Sequence, residues 1–306
     1  MVTLINSSMN WLYAMKPKSF RGALLTMTND LGSWLKKAKN LLQGQSDTSL
    51  LEAQVLAAHI LQKPRSWVIS HPECLLDPPQ LEALDEALDR LLAGTPLPYL
   101  TGVQEFFGIP LEVSPAVLIP RPETELLVET ALEYLRLNPD ARRVVDFGTG
   151  SGAIAICIAR EIPDARITAT DISPEALRLA RVNARRHQVD RRISFLLADL
   201  ADPLNGPFDL VTANLPYIPS RDFKQLTVAK YEPATALDGG PDGLILIARL
   251  LHDLPRLLAT PGMALLEIEY RQRKSAIQLA KGYFPMANIE IRQDYAGNDR
   301  MLQIIT

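Results

Sequence analysis

Three groups of residues in this chain have types and spacings suited to chemistry. The first is Val144-Val-Asp-Phe-Gly-Thr-Gly-Ser-Gly152, with glycines alternating at 148, 150 and 152. Such a turn lets a ligand lie against bare backbone, because no Cβ stands in the way. The amides at the start of the helix that follows face that ligand. Alone, the pattern fits a nucleotide-like ligand or a plain tight turn equally well. The second group is an acid at the end of each of the next two strands. Asp171 follows Arg166-Ile-Thr-Ala-Thr, and Asp199 follows Ser194-Phe-Leu-Leu-Ala. Asp171 lies 23 residues beyond Gly148, where a doubly wound fold offers a carboxylate to ribose hydroxyls. The third group is Asn214-Leu-Pro-Tyr217, after Phe208-Asp-Leu-Val-Thr-Ala and at the same carboxyl edge. Asn and Pro are common turn residues, so this stretch gains meaning from its place behind the other two.

The glycine spacing is Gly-x-Gly-x-Gly and not the Gly-x-Gly-x-x-Gly of dinucleotide folds. With Asp146 ahead of it, the turn resembles the cofactor loop of the class I S-adenosylmethionine-dependent methyltransferases. There the turn faces the methionine part of the cofactor. The resemblance implies a cofactor-binding set of Asp146, Gly148, Thr149, Gly150, Ser151, Gly152, Asp171, Asp199, Leu200 and Asn214. Asp171 would meet the ribose and Asp199 the adenine. Asn214-Leu-Pro-Tyr217 is similar to the Asn/Asp-Pro-Pro-Tyr turn of methyltransferases that alkylate an amide or exocyclic amino nitrogen. An amide nitrogen is a poor nucleophile, since its lone pair is delocalised into the carbonyl. The side-chain carbonyl of Asn214 and a backbone carbonyl of the turn would each accept one N–H of a primary amide. That fixes the nitrogen against the methyl group and stabilises the positive charge that develops. Tyr217 would pack on the flat amide, and Pro216 holds the residue before it extended. No ionisable base is needed, because the cation formed when an amide nitrogen is alkylated is strongly acidic and sheds its proton readily.

These groups need a sheet to hold them. After Asp140, strands are predicted at Arg143–Asp146, Arg166–Thr170, Ile193–Leu197, Phe208–Ala213 and Met263–Glu269. Helices lie between most of them: Ala153–Arg160, one capped by Ser173 with Pro174 behind it, and Gly243–Leu258. About Ile289–Gln293 and Met301–Ile305 read as an antiparallel hairpin closing the sheet. The fold class is α/β, a Rossmann-like, mostly parallel sheet with a terminal antiparallel strand. A small all-helical domain precedes it over residues 29–93. There Trp34, Leu35, Ala38, Leu41 and Leu42 follow one helical face. Ser49 and Glu52 form a capping-box pattern, and Leu81, Leu84, Leu88 and Leu91 follow Pro78-Pro79. That domain reads as a bundle packing its own core or as a partner-recognition module. Residues 94–117 are a linker with a short hairpin at Glu105–Val113, and 118–306 form the catalytic domain. Residues 1–28 read as a poorly ordered extension.

The chain has 306 residues, 47% of them hydrophobic, enough for about two domains and a real core. Its net charge of −3 lacks the basic footprint of most nucleic-acid enzymes, so no direct nucleic-acid binding is expected. The two cysteines, Cys74 and Cys157, are far apart, which fits a reducing compartment. Four scattered histidines have no metal spacing, and no metal is expected. No apolar run approaches a membrane span and no secretory h-region begins the chain, so the expected home is the cytoplasm.

A wider set of segments is similar to the HemK/PrmC family, the glutamine methyltransferases of peptide chain release factors. It comprises Pro98-Tyr-Leu-Thr-Gly, Glu105-Phe-Phe-Gly, Leu118-Ile-Pro-Arg-Pro-Glu-Thr-Glu125, Phe147-Gly-Thr-Gly-Ser-Gly, Asn214-Leu-Pro-Tyr-Ile, and Tyr231-Glu-Pro with Ala-Leu-Asp-Gly-Gly-Pro-Asp-Gly-Leu244. The resemblance runs from about residue 30 to the end. It implies transfer from S-adenosylmethionine to the side-chain amide of a glutamine in the Gly-Gly-Gln loop of class I release factors. It implies catalytic roles for Asn214, Pro216 and Tyr217, and substrate contacts from Asn214, Leu215, Pro216, Tyr217, Arg121 and Glu123. The helical domain would help hold the release factor. Two departures stand out: Leu215 replaces the first proline of the family turn, and the first 28 residues exceed the usual start. Rival readings are a glutamine methyltransferase of a ribosomal protein, a DNA adenine methyltransferase, which shares the turn but normally carries a basic recognition region, and a non-catalytic S-adenosylmethionine-binding adaptor.

Overall fold

The computed structural model describes residues 29–306, and the extension expected over residues 1–28 lies outside the described residues. Five helices come first: α1 (Leu31–Leu42), α2 (Ser49–Leu61), α3 (Arg65–Ser70), α4 (Pro78–Leu92) and α5 (Leu97–Thr101). Asp30 caps α1 by accepting the Ser33 N–H at 2.7 Å. Asp77 and Gln80 form a complete capping box on α4, with Pro78 in its first turn. The box expected at Ser49 and Glu52 does not form. Ser49 is a buried residue inside α2, and Glu52 instead accepts the hydroxyls of Ser46 and Thr48. Leu31, Trp34, Leu35, Ala38 and Leu42 make the buried stripe of α1. Leu41 was expected on it, yet it lies just off that stripe and is half-exposed. These residues pack with Leu56, Val68, Leu84 and Leu88 into one core, against which Leu97 and Leu100 of α5 also rest.

A two-stranded hairpin follows, β1 (Val103–Phe106) and β2 (Ile109–Glu112). The remainder alternates α6 (Glu125–Leu137), β3 (Arg143–Phe147), α7 (Ala153–Glu161), β4 (Arg166–Asp171), α8 (Pro174–Arg186), β5 (Ile193–Leu197) and β6 (Phe208–Ala213). Then come α9 (Ser220–Phe223), α10 (Ile245–Leu257), β7 (Leu258–Glu267), α11 (Arg273–Tyr283), β8 (Asn288–Gln293) and β9 (Asp299–Ile305). The seven strands order as β5-β4-β3-β6-β7-β9-β8. β3 through β7 pair in parallel, and β9 lies antiparallel between β7 and β8.

Central parallel strands are covered on both faces and therefore read as apolar runs. Val144, Val145 and Phe147 of β3 are fully buried. One layer, from the hairpin, α6 and α7, covers one side of the sheet, and α10 and α11 cover the other. The order reverses at β3, with β4 and β5 to one side and β6 and β7 to the other. The crevice beyond the carboxyl ends of strands at such a reversal is where open α/β sheets bind ligands.

Candidate active site

The loop from β3 to α7 turns on three glycines in the left-handed region, Gly148, Gly150 and Gly152, at φ of 67°, 56° and 86°. A side chain at Gly148 would also meet Leu215 Cδ2 at 3.0 Å, so the loop and the Asn214 turn touch across the crevice. Asp146 anchors the loop from beneath. It is fully buried and accepts the hydroxyls of Thr149 (2.7 Å) and Thr212 (2.8 Å). Burial pushes its pKa up to about 6, against the pull of those two hydrogen bonds. Asp146 was expected to bind cofactor, but both its oxygens are turned to the protein and it does not line the cavity. Gly152 is likewise off the wall: a Cβ there would meet Ile156 and Ala180, so it serves the packing of α7 on α8.

Gly148, Thr149, Gly150 and Ser151 do line a cavity of ≈ 350 Å³, within the usual range for a small-molecule site. Asp171, at the end of β4, stands in its wall. Its Oδ2 accepts the Gly150 N–H (2.8 Å) and its Oδ1 the Ser173 N–H (2.9 Å). Burial raises its pKa, and these backbone donors oppose the rise. With about four acceptor sites on its two oxygens, the carboxylate keeps capacity for a ligand. Next to it in the wall, the buried Thr170 hydroxyl finds no partner among the described residues. An unpaired buried hydroxyl costs about 1–3 kcal/mol, so a ligand's polar group is the natural complement. Asp199 and Leu200, which follow the neighbouring strand β5, also line the cavity. Asp199 accepts from Arg249 at 2.9 Å in a half-exposed pair.

Asn214 is the first residue after β6, and its amide nitrogen donates to Thr124 Oγ1 at 3.0 Å. Thr124 donates in turn to Glu267 Oε2 (2.8 Å), and Tyr217 donates to Glu267 Oε1 (3.0 Å). Glu267 ends β7 and is 2% exposed. Burial pushes its pKa up to about 7 despite the two hydroxyl donors. Tyr217, whose phenol is raised first by its own burial, rests on the inner apolar layer and not in the cavity wall. The rest of the turn is clamped from below. Gln272 donates to the Tyr217 carbonyl (3.0 Å), and Ile218 bridges to Asp238. Gly243, at φ 76°, passes so close that a Cβ would overlap the Tyr217 carbonyl. Leu215 and Pro216 line the cavity, with Leu215 4% exposed inside the core.

Arg121 and Glu123 were expected at the substrate, and the structure puts neither in the cavity wall. Arg121 donates from one nitrogen to both oxygens of the buried Glu232 (2.6 and 2.7 Å). This pair pins the segment before α6 to Tyr231-Glu-Pro233. A guanidinium so engaged is a strut. Glu123 is exposed. Four residues at the site were not singled out from sequence: Thr124, Thr170, Arg249 and Glu267. Glu267 did leave a signal, being an acid inside the apolar run Met263-Ala-Leu-Leu-Glu-Ile268, because charged residues are almost never buried unless paired. Thr124, Thr170 and Arg249 left none.

Residues 33–102 match the family model described as PrmC N-terminal domain, and residues 122–232 match Methyltransferase small domain. The release factor glutamine methyltransferase of Moorella thermoacetica is 40% identical over 279 residues, covering 90% of this chain and 97% of that protein. The enzyme of the same name from Vibrio cholerae is 39% identical, over 86% and 92%. That of Escherichia coli is 37% identical, over 88% and 96%. Among solved structures, the hMettl16 catalytic domain, in complex with an RNA hairpin, superposes with a TM-score of 0.52 at 15% identity. It covers 68% of this chain and 78% of its own and shares the fold.

Proposed function

The chain belongs to the family of release factor glutamine methyltransferases, and from that premise we propose that it methylates a release factor at the side-chain nitrogen of a glutamine. The glutamine is that of the Gly-Gly-Gln loop, the methyl donor is S-adenosylmethionine, and the reaction belongs to the cytoplasm, where release factors work. The observation that carries this reading is the Asn214 amide. Its nitrogen is committed to Thr124, its oxygen accepts no hydrogen bond among the described residues, and the residue lines the cavity.

The residues of the cavity fit the donor. Asp171 keeps acceptor capacity for ribose hydroxyls, Thr170 has an unpaired hydroxyl, and the glycine loop directly beside them leaves bare backbone. When bound, S-adenosylmethionine supplies a methyl group made electrophilic by its sulfonium. Asn214 Oδ1 accepts one N–H of the glutamine amide, and a backbone carbonyl of residues 214–216 accepts the other. The Tyr217 carbonyl is already taken by Gln272. With both hydrogens held, the nitrogen lone pair faces the methyl group, and the two carbonyl dipoles stabilise the positive charge as it grows. On methyl transfer, whose other product would be the neutral thioether, the alkylated amide nitrogen would be a strongly acidic cation and would release one proton to solvent.

The test is incubation with labelled S-adenosylmethionine and a purified release factor, followed by mapping of the label. Label on the glutamine of the Gly-Gly-Gln loop is the expected result. Label on another residue type would overturn the acceptor, and bound cofactor without transfer would overturn the activity.

A further inference from the structure

We propose that Glu267 is a positioning residue which, as a carboxylate, determines which end of the Asn214 amide faces the acceptor. The proposal rests on the reading above, in which Asn214 Oδ1 receives the glutamine N–H. It follows from counting protons along one chain of hydrogen bonds. An ionised Glu267 has none to give, so both of its oxygens accept, from Thr124 (2.8 Å) and from Tyr217 (3.0 Å). The Thr124 hydroxyl has a single proton and commits it to Glu267. Its oxygen can then only accept, and the group 3.0 Å away must be the Asn214 nitrogen. The amide oxygen is thereby turned to the acceptor.

Protonation of Glu267 reverses that order. The new proton needs an acceptor, and the two branches differ in what they allow. On the Tyr217 branch the phenol's one protein partner among the described residues is Glu267, so its displaced proton would have to turn to solvent. On the Thr124 branch the displaced proton passes to Asn214, whose amide turns over and offers its oxygen to Thr124. Every bond inside the protein survives, but the NH₂ end now faces the acceptor, donor against donor. A buried hydrogen-bond chain with two internally satisfied directions is a switch on the orientation of one amide.

Thr124, Tyr217, Arg300 and Glu123 face Glu267 from the elements around it. Arg300, on β9, favours the carboxylate and is itself paired with Asp294 at 3.0 Å. Glu123, on the turn before α6, opposes it. Burial outweighs these influences and brings the titration to about 7, inside the range of an ordinary assay.

The experiment uses the whole protein, a purified release factor and labelled S-adenosylmethionine. It measures kcat from pH 6 to 9 and cofactor Kd by calorimetry at each pH. Wild-type kcat should fall about tenfold per pH unit below about 7 while cofactor Kd holds. Glu267→Gln, which donates to Thr124 permanently, and Thr124→Val, which removes the relay, should each lose on the order of 10²-fold in kcat with cofactor Kd within a few-fold. Thr124→Ser keeps the hydroxyl and should retain turnover within a few-fold. The residual activity of Thr124→Val should have lost the limb near pH 7. A wild-type profile flat from pH 6 to 9 would overturn the proposal without any variant. So would near-normal turnover in Glu267→Gln or Thr124→Val, or a Thr124→Ser as slow as Thr124→Val. If Asn214→Ala is inactive while those two variants are not, Glu267 alone leaves the mechanism. If the wild-type protein modifies no release-factor glutamine, the reading of the acceptor falls and this proposal falls with it.

Discussion

Asp171 has two duties, because each of its oxygens accepts one backbone N–H, from Gly150 and from Ser173, while facing the cavity. In the proposed reading, Asp171→Ala therefore removes hydrogen bonds to ribose and also releases the glycine loop held through the Gly150 N–H. S-adenosylmethionine binding should weaken by about 1.5–3 kcal/mol in a calorimetric titration. Unchanged affinity would remove Asp171 from the cofactor site. Asn214→Ala touches only the acceptor in this reading, so turnover should fall on the order of 10²–10³-fold with cofactor affinity retained. A variant within a few-fold of wild type would end that role. Leu215 is the residue at which burial changes the expectation. Read as a departure from the family proline, its side chain is idle and a proline there should stabilise. In the structure that side chain is 4% exposed, packed in the core and in contact distance of Gly148. Leu215→Pro should thus lower stability by roughly 1–2 kcal/mol, lost packing outweighing the stiffer unfolded chain. Turnover should stay within a few-fold. Chemical denaturation reads the first quantity, and a gain in stability would show that the packing has been overrated.

At the scale of elements, the choice of cut decides what a truncation of the leading helices can show. Tyr231 donates its hydroxyl to the Ala93 carbonyl at the end of the helical segment, and within the linker Tyr99 donates to the Val117 carbonyl at 2.6 Å. Leu97 and Leu100 of α5 rest on the helical core, so a chain beginning at residue 94 would expose them. A chain beginning at Gly102 removes the core together with α5. It should still bind S-adenosylmethionine, up to about tenfold more weakly because Tyr99 no longer holds Val117 in the cavity wall, and at saturating cofactor methylate intact release factor at least about tenfold more slowly, since docking area is lost. Full-rate methylation by that soluble, cofactor-binding chain would dismiss the recognition role of the helices. The elements themselves were largely legible. Apolar runs ending in Asp or Asn marked β3, β4 and β6, and alternation of strands and helices marked the sheet. What stayed hidden depends on contacts between distant parts of the chain. Thr124 meets Glu267 across 143 positions and Asn214 across 90, and Arg121 meets Glu232 across 111. No local pattern announces such pairs, so Thr124 was not singled out, and the tie of Arg121 to Glu232 was not visible behind the substrate contact that the resemblance implies.

The whole molecule contains a conflict between stability and activity, because it keeps two carboxyl groups in its driest region. Asp146 and Glu267 are raised from the ordinary 3.8 and 4.5 to about 6 and about 7, burial being the first cause in each. For a carboxyl group whose folded pKa lies above its unfolded value, the unfolded chain releases its proton first as pH rises. Between about pH 4 and 7 the folded protein therefore holds protons that the unfolded chain has lost. Stability must fall as pH rises through that window and stay lower above it. Each displacement corresponds to about 3 kcal/mol once both states are ionised. Activity should run the other way, since the carboxylate of Glu267 is the form that presents the Asn214 oxygen. Glu267→Gln separates the two quantities. With no charge to bury, the variant should show a shallower decline of melting temperature between pH 5 and 8. At pH 8 it should be more stable than wild type by up to about 3 kcal/mol, less whatever the weaker neutral hydrogen bonds to Thr124 and Tyr217 give back. Thermal unfolding followed across that range is the measurement. A variant less stable than wild type at pH 8, or one with the same dependence on pH, would show that the carboxylate is accommodated at no expense to the fold, and the conflict would then not exist.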